Sequence, residues 1–245
     1  MTTEYIVIKI GGVASKQLTP ETLAKLSEWQ QADQKIIIVH GGGFAINQLM
    51  EEHDIPIHKV NGLRVTGQSD MVLIKEALVD IVGKNLAGEL TQAGLLAYQV
   101  IDELSDLVRV DFLNQEVYGF VGEVKNITNQ TLVAILAKGK IPLIPSLGYN
   151  EQGDLLNINA DYFARAMAIS LGAKKLILMT DVKGVLENGQ VLEHLNLVDV
   201  QKKIDSGVIT GGMIPKIQSA VQTVESGVEQ VIIGDNLTDG TIIKE

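Results

Sequence analysis

The chain has 245 residues, enough to bury one or two substantial cores, and 46% of them are hydrophobic and 20% charged, as in a soluble globular protein. Lys and Arg number 20 against 30 Asp and Glu, and the resulting formal charge of −10 repels polyanions, which argues against nucleic acid or an anionic membrane as the main partner. Cysteine is absent, which excludes disulfides, thiolate metal sites and a cysteine nucleophile.

The first predicted strand, over 4–10, begins almost at the N-terminus, with no basic n-region and apolar h-region before it. No apolar run approaches the length of a membrane span, so the expected location is the cytoplasm. In that strand Tyr5, Ile6, Val7, Ile8 and Ile10 read as buried, yet Lys9 stands among them just before Gly11-Gly12. An ammonium group leaves water only at a cost of several kcal/mol unless an anion meets it. Lys9 therefore asks for a partner.

A helix is predicted over 20–31, with Thr19 as its N-cap and Pro20 at the first helical position. "KIIIV" at 35–39 is the next strand and runs through Gly41-Gly42-Gly43 into a helix over 44–53. "IHKVNGLRV" at 57–65 reads as a hairpin around Asn61-Gly62, with Arg64 just beyond the turn. A long helix follows over 69–93. Glu76, Asp80 and Lys84 form its polar stripe, and apolar residues cover most of the remaining surface, so it packs on two sides, within one subunit or between two. An antiparallel excursion is expected at about 107–125, then a helix over 129–138 and the strand "IPLI" at 141–144.

The chain continues with a helix over 159–171, the strand "KLILM" at 175–179, helices over 196–206 and 213–226, and the strand "QVIIG" at 230–234. Short β-branched strands alternating with helices predict an α/β fold: a three-layer αβα sandwich around a mainly parallel, open central sheet. No linker-like tract divides the chain, so two lobes sharing the sheet are expected, 1–172 and 173–245, with the boundary at Gly172.

Glycines at strand-to-helix turns let a backbone approach a ligand closely, and the free amides of a helix start favour an anion. Gly11-Gly12 and Gly41-Gly42-Gly43 fit that role or that of plain tight turns; neither is a Walker A loop. Asn157, Asn159 and Asp161 stand at the start of a helix, where they can cap it, and an acid there can also fix nearby lysines. Lys216 falls in the first turn of a helix after Gly211-Gly212, against the preference of cations for helix C-termini, and a bound anion would remove that conflict. Arg64 can offer its fork to a carboxylate or stand as a solvated hairpin charge. The four histidines show no metal-ligand spacing; His40, beside the triple glycine, reads as a structural hydrogen-bonding residue.

The motifs "VIKIGGV", "VHGGG", "NGLRVT", "NINAD", "TDVKGVL" and "GGMIPK" occur in this order and span residues 7 to 216. Together they resemble the amino acid kinase family. "NGLRVT" and "GGMIPK" point to the members that act on N-acetyl-L-glutamate rather than to carbamate, uridylate or aspartate kinases. The resemblance implies transfer of the ATP γ-phosphoryl group to the side-chain carboxylate of N-acetyl-L-glutamate, in the second step of arginine biosynthesis. It implies that Lys9 and Lys216 stabilise the phosphoryl group in transfer, with Asp161 holding both lysines. Gly42, Gly43, Arg64 and Asn157 would bind acetylglutamate, and Gly11 and Gly12 would form a phosphate loop. Asp181, Val182, Lys183, Gly184, Val185 and Leu186, with Val208, Ile209 and Thr210, would line the ATP site. Mg²⁺ would arrive with ATP, held by phosphate oxygens.

Residues 1–172 would then bind the acceptor and 173–245 the nucleotide, in a sheet near eight strands. Arginine-inhibited members of the family are hexamers joined by an extra N-terminal helix; with three residues before the first strand, a homodimer unresponsive to L-arginine is expected, formed through the helix at 69–93. Two rivals stand beside this reading. One is a kinase of a related acylated amino acid such as N-acetyl-aminoadipate; the other is a non-catalytic metabolite sensor of the same fold.

Overall fold

In the computed structural model, which describes residues 3–245, the chain runs β1 (Tyr5–Ile10), α1 (Pro20–Gln31), β2 (Lys35–His40), α2 (Gly43–Glu52) and a hairpin of β3 (Lys59–Val60) and β4 (Leu63–Arg64). A long helical stretch follows: α3 (Met71–Lys75), a π-helical segment (Glu76–Gly83) and α4 (Lys84–Gln92). Next come β5 (Ala97–Gln99), α5 (Leu104–Leu107), β6 (Val108–Phe112), α6 (Gln115–Tyr118), β7 (Val121–Ile127) and α7 (Gln130–Leu136). Strands β8 (Ile141–Pro145), β9 (Leu147–Tyr149) and β10 (Leu155–Ile158) lead into α8 (Ala160–Leu171) and β11 (Lys175–Met179). A short hairpin of β12 (Leu186–Glu187) and β13 (Gln190–Val191) precedes β14 (His194–Asn196), α9 (Val200–Asp205), α10 (Met213–Glu225), β15 (Gln230–Gly234) and β16 (Thr241–Lys244).

The core is an eight-stranded sheet in the order β14-β16-β15-β11-β1-β2-β8-β5, parallel except at β15–β16. Ile6, Val7 and Ile8, like Ile37, Ile38 and Val39, are buried without exception. Successive strand residues point to opposite faces, so helices must cover both faces of the sheet. That is the predicted three-layer sandwich. β1 pairs with β11 from Ile6↔Lys175 to Lys9↔Leu178, so the sheet runs unbroken past residue 172. Gly172 itself ends α8 in the left-handed region, at φ 56°, where a side chain would be strained.

The excursion at 107–125 is antiparallel as expected, β6 against β7, but it belongs to a closed four-stranded barrel, β10-β7-β6-β9. So small a barrel leaves little interior. A Cβ on Gly148 would lie 2.7 Å from Val110, and one on Gly122 would lie 3.0 Å from Leu156. The hairpin at β3–β4 turns through Asn61 and Gly62, both at positive φ as a two-residue turn requires.

The long helix departs from its prediction in the middle, where Glu76–Gly83 is π-helical rather than α-helical. This widened turn brings Gly83 against the Gln99 side chain of β5, in a space where a Cβ would overlap it. Ile74, Leu78, Val82, Leu86 and Leu90 face the core, while Val72 and Ile81 stay 71% and 40% exposed on the other side. Asp80 and Lys84 pair at 2.7 Å on the polar stripe. No helix among the described residues is long and apolar enough to cross a membrane.

Candidate functional site

Three parallel strands of the central sheet, β1, β2 and β11, end side by side, and their carboxyl ends carry Lys9, the triple glycine and Thr180-Asp181. Open α/β sheets bind ligands at such an edge. Lys9 does not stay in the strand's apolar row. Its side chain, 14% exposed, folds back over Gly11, where a Cβ would lie 2.8 Å from Cε and overlap Nζ. Glycine at this position is therefore a steric condition for the lysine's placement.

Lys9 Nζ lies 3.0 Å from Asp161 Oδ1 and donates to the carbonyl oxygen of Met179 at 3.3 Å. Asp161 reaches this place because β10 delivers the chain to Asn159, whose side chain caps α8 by accepting from the amides of Asp161 and Tyr162 at 2.9 and 3.1 Å. The contact of Asp161 with Lys9 is an ion pair at good distance without hydrogen-bond alignment; its Oδ1 is buried with no hydrogen-bond partner. Asn159 thus does the capping expected of it, and Asp161 is left for the lysine.

Lys216, in the first turn of α10, donates to Thr180 Oγ1 at 3.0 Å. The two lysines thus hang on successive residues, Met179 and Thr180, at the end of β11. The expected arrangement, with Asp161 holding both, differs here: among the described residues Asp161 pairs with Lys9 and Lys216 makes no ion pair. Thr180 takes the second position. No sequence signal marks a main-chain acceptor such as Met179 O, and a threonine before a loop is too common to stand out.

Gly12, at φ 57°, lies directly beneath the Asp181 carboxylate, which would overlap any Cβ there. Gly42 has a different neighbour: a Cβ would come within 2.9 Å of Leu78 and 3.1 Å of Val82, so this glycine seats the long helix against the turn. Gly43, the first residue of α2, faces open space. His40 ends β2 wholly buried, with Nδ1 3.3 Å from the carbonyl oxygen of Gly41 and Nε2 unpartnered; burial pushes its pKa down to about 4. It is a neutral, structural histidine at neutral pH.

Arg64 and Asn157 line one cavity of about 170 Å³, together with Lys59, Leu63, Val121 and Asn159. Arg64 donates to Asn47 Oδ1 and lies 3.2 Å from Met50 Sδ, both on α2, which holds the guanidinium in place. Partial burial lowers its pKa, an effect opposed by the nearby Asp70. Asn157 donates weakly to the buried Thr66, at 3.5 Å. Gly42 and Gly43 do not line this cavity.

In the 181–186 segment Val182 and Leu186 are 42% and 54% exposed, while Val185 is buried and its amide donates to Thr241 at 2.8 Å. The Ile209 side chain also lies in the core, so of 208–210 only Val208, Thr210 and main-chain groups are free to meet a ligand. A larger cleft of about 660 Å³ touches this segment through Lys183, but Glu193, Asp235 and Asp239 give it an acidic wall that opposes a triphosphate. Among the described residues no group of three His, Asp or Glu side chains could hold a metal ion.

The profile described as "Amino acid kinase family" matches residues 4–235. The chain is 55% identical to the acetylglutamate kinase of Streptococcus mutans over 98% of both chains, and 45% identical to that of Staphylococcus epidermidis over 98% of both. A crystal structure from Streptococcus mutans UA159 superposes with a TM-score of 0.91 at 55% identity, covering 98% of each chain. With its sheet edge of converging lysines and the near-complete match, this chain belongs to the amino acid kinase family.

Proposed function

We propose that this chain is an acetylglutamate kinase, transferring the γ-phosphoryl group of ATP to the side-chain carboxylate of N-acetyl-L-glutamate, with ADP as the second product. Relatives of that name at 45–55% identity over nearly the whole chain support the reaction. The single structural observation that carries it is the hanging of Lys9 and Lys216 on adjacent residues at the sheet edge.

A carboxylate is already ionised at neutral pH, so the reaction needs no general base. Its obstacle is repulsion between the carboxylate and the triphosphate. An ammonium about 4 Å from the transferred group offsets this by on the order of 4 kcal/mol at an effective dielectric of 20. Two lysines at that distance, fixed before substrate arrives, supply the positioning and charge neutralisation on which phosphoryl transfer chiefly relies. Asp161 orients Lys9, and Thr180 orients Lys216.

The cavity of Arg64 and Asn157 takes the acceptor. The segment 181–186 and Val208 and Thr210 flank the nucleotide, and Gly11-Gly12 turns its amides toward the phosphates. Mg²⁺ enters with ATP on phosphate oxygens, as part of the substrate. Residues 1–172 form the acceptor lobe and 173–245 the nucleotide lobe. The protein works as a homodimer in the cytoplasm.

ADP release measured with N-acetyl-L-glutamate, N-acetyl-aminoadipate and free glutamate tests the reaction. Hydroxylamine trapping of the product as a hydroxamate tests its acyl phosphate nature. Turnover of acetylglutamate with hydroxamate formation is expected; ADP release with none of the three acids overturns the assignment.

A further inference from the structure

The cavity of Arg64 and Asn157 has an apolar neighbour. A cleft of about 310 Å³ between the barrel and α8 shares four of its walls, Leu63, Val121, Ile158 and Asn159. Three of these four are apolar, so the boundary between the two spaces is apolar. Beyond it the cleft continues along Leu113 and Val124 on one side and Ala166 and Ile169 on the other. Of its polar side chains, Arg165 donates to Gln222 at 3.0 Å, Glu123 pairs with Lys125, and Asn159 caps α8.

Resting on the assignment above, we propose that this cleft is an acyl-chain subsite, and that the protein phosphorylates glutamate carrying longer neutral aliphatic N-acyl groups. Arg64 and Asn157 hold the polar part of the acceptor in one cavity, and the acyl chain runs past Leu63, Val121 and Ile158 into the other. The extra methylenes lie far from the reacting carboxylate. They contribute equally to ground and transition states, lowering KM and leaving kcat unchanged. Burying one methylene is worth about a fourfold change in affinity at room temperature.

The test compares N-acetyl-, N-propionyl- and N-butyryl-L-glutamate by ADP release. N-butyryl-L-glutamate is expected to keep the kcat of the acetyl compound, with KM equal or lower by up to about fourfold per methylene. Ala166→Leu, which fills the cleft from a helix position that accepts leucine, is expected to lower the butyryl-to-acetyl ratio of kcat/KM at least about tenfold. Val124→Phe, from the opposite wall, makes the same test if the helix variant does not fold, and the melting temperature shows which variants fold. A butyryl kcat/KM below about a hundredth of the acetyl value overturns the subsite, as does a ratio unmoved in both variants. If no acylated glutamate is phosphorylated, it is the kinase assignment that fails; if only the acetyl compound is, the subsite alone fails.

Discussion

Lys9 and Asp161 meet at 3.0 Å from two different layers of the sandwich, one from a central strand and the other from the first turn of a covering helix. Lys9 is 14% exposed and Asp161 33%. The pair spans 152 residues of chain and exists only because β1 and α8 pack together. It explains how a lysine is tolerated inside an apolar strand, and it holds the ammonium at the carboxyl edge of the sheet.

From that placement, Lys9→Ala and Lys216→Ala should each lower kcat by roughly 10²–10³, by analogy with the loss of one oxyanion donor. ATP binding should change far less, because these charges act mainly in the transition state. Steady-state kinetics with ATP and acetylglutamate varied in turn makes the measurement. A variant with normal kcat and a raised KM would show that the lysine serves binding only.

Gly11→Ala should imitate the loss of Lys9 without removing it. The new Cβ displaces the ammonium from its seat, so kcat should fall at least about tenfold while the melting temperature stays within a few degrees. An active Gly11→Ala enzyme would mean that Lys9 acts from another rotamer.

Arg64→Lys keeps the charge and loses the planar fork. The KM for acetylglutamate should rise roughly tenfold or more, and that for ATP should stay within about twofold. Parallel loss toward both substrates would remove Arg64 from the acceptor site.

His40 predicts a pH dependence of stability. Its pKa falls from 6.5 to about 4 because burial excludes the charged form. The unfolded chain binds the proton first, so the neutral histidine's contribution is complete above pH 6.5 and is lost as pH falls toward 4. At 1.36 kcal/mol per unit, this shift amounts to about 3 kcal/mol. Chemical denaturation from pH 7 to pH 4 should show a loss of that order, reduced in His40→Gln; an unchanged slope in the variant would assign the dependence to other groups.

Val72 and Ile81 stand exposed on the helix whose other side builds the core, and the proposed homodimer is expected to form its two-fold contact there. Val72→Glu with Ile81→Glu should halve the mass seen by light scattering at micromolar concentration. A wild-type monomer would refute the dimer, and a dimer that persists in the double variant would move its interface elsewhere.

Much of this molecule was determined by the chain alone. The runs at 5–10, 35–40, 141–145, 175–179 and 230–234 are strands because consecutive apolar residues, many of them β-branched, suit a pleat covered on both faces. Thr19-Pro20, Asn61-Gly62 and Gly172 mark their turns and caps by local backbone preference, which needs no distant partner. The motifs that carry Lys9 and Lys216 were legible because a charge placed against its local environment is visible in one dimension. Tertiary structure decided what such local signals cannot hold. It closed β6, β7, β9 and β10 into a barrel, because strands of three to seven residues take their pairing from neighbours rather than from periodicity. It turned Glu76–Gly83 into a π-helix where Gly83 meets Gln99. It gave Lys216 to Thr180 and Lys9 to Asp161, since the partner of a long, flexible cation is set by which groups packing brings within 3 Å.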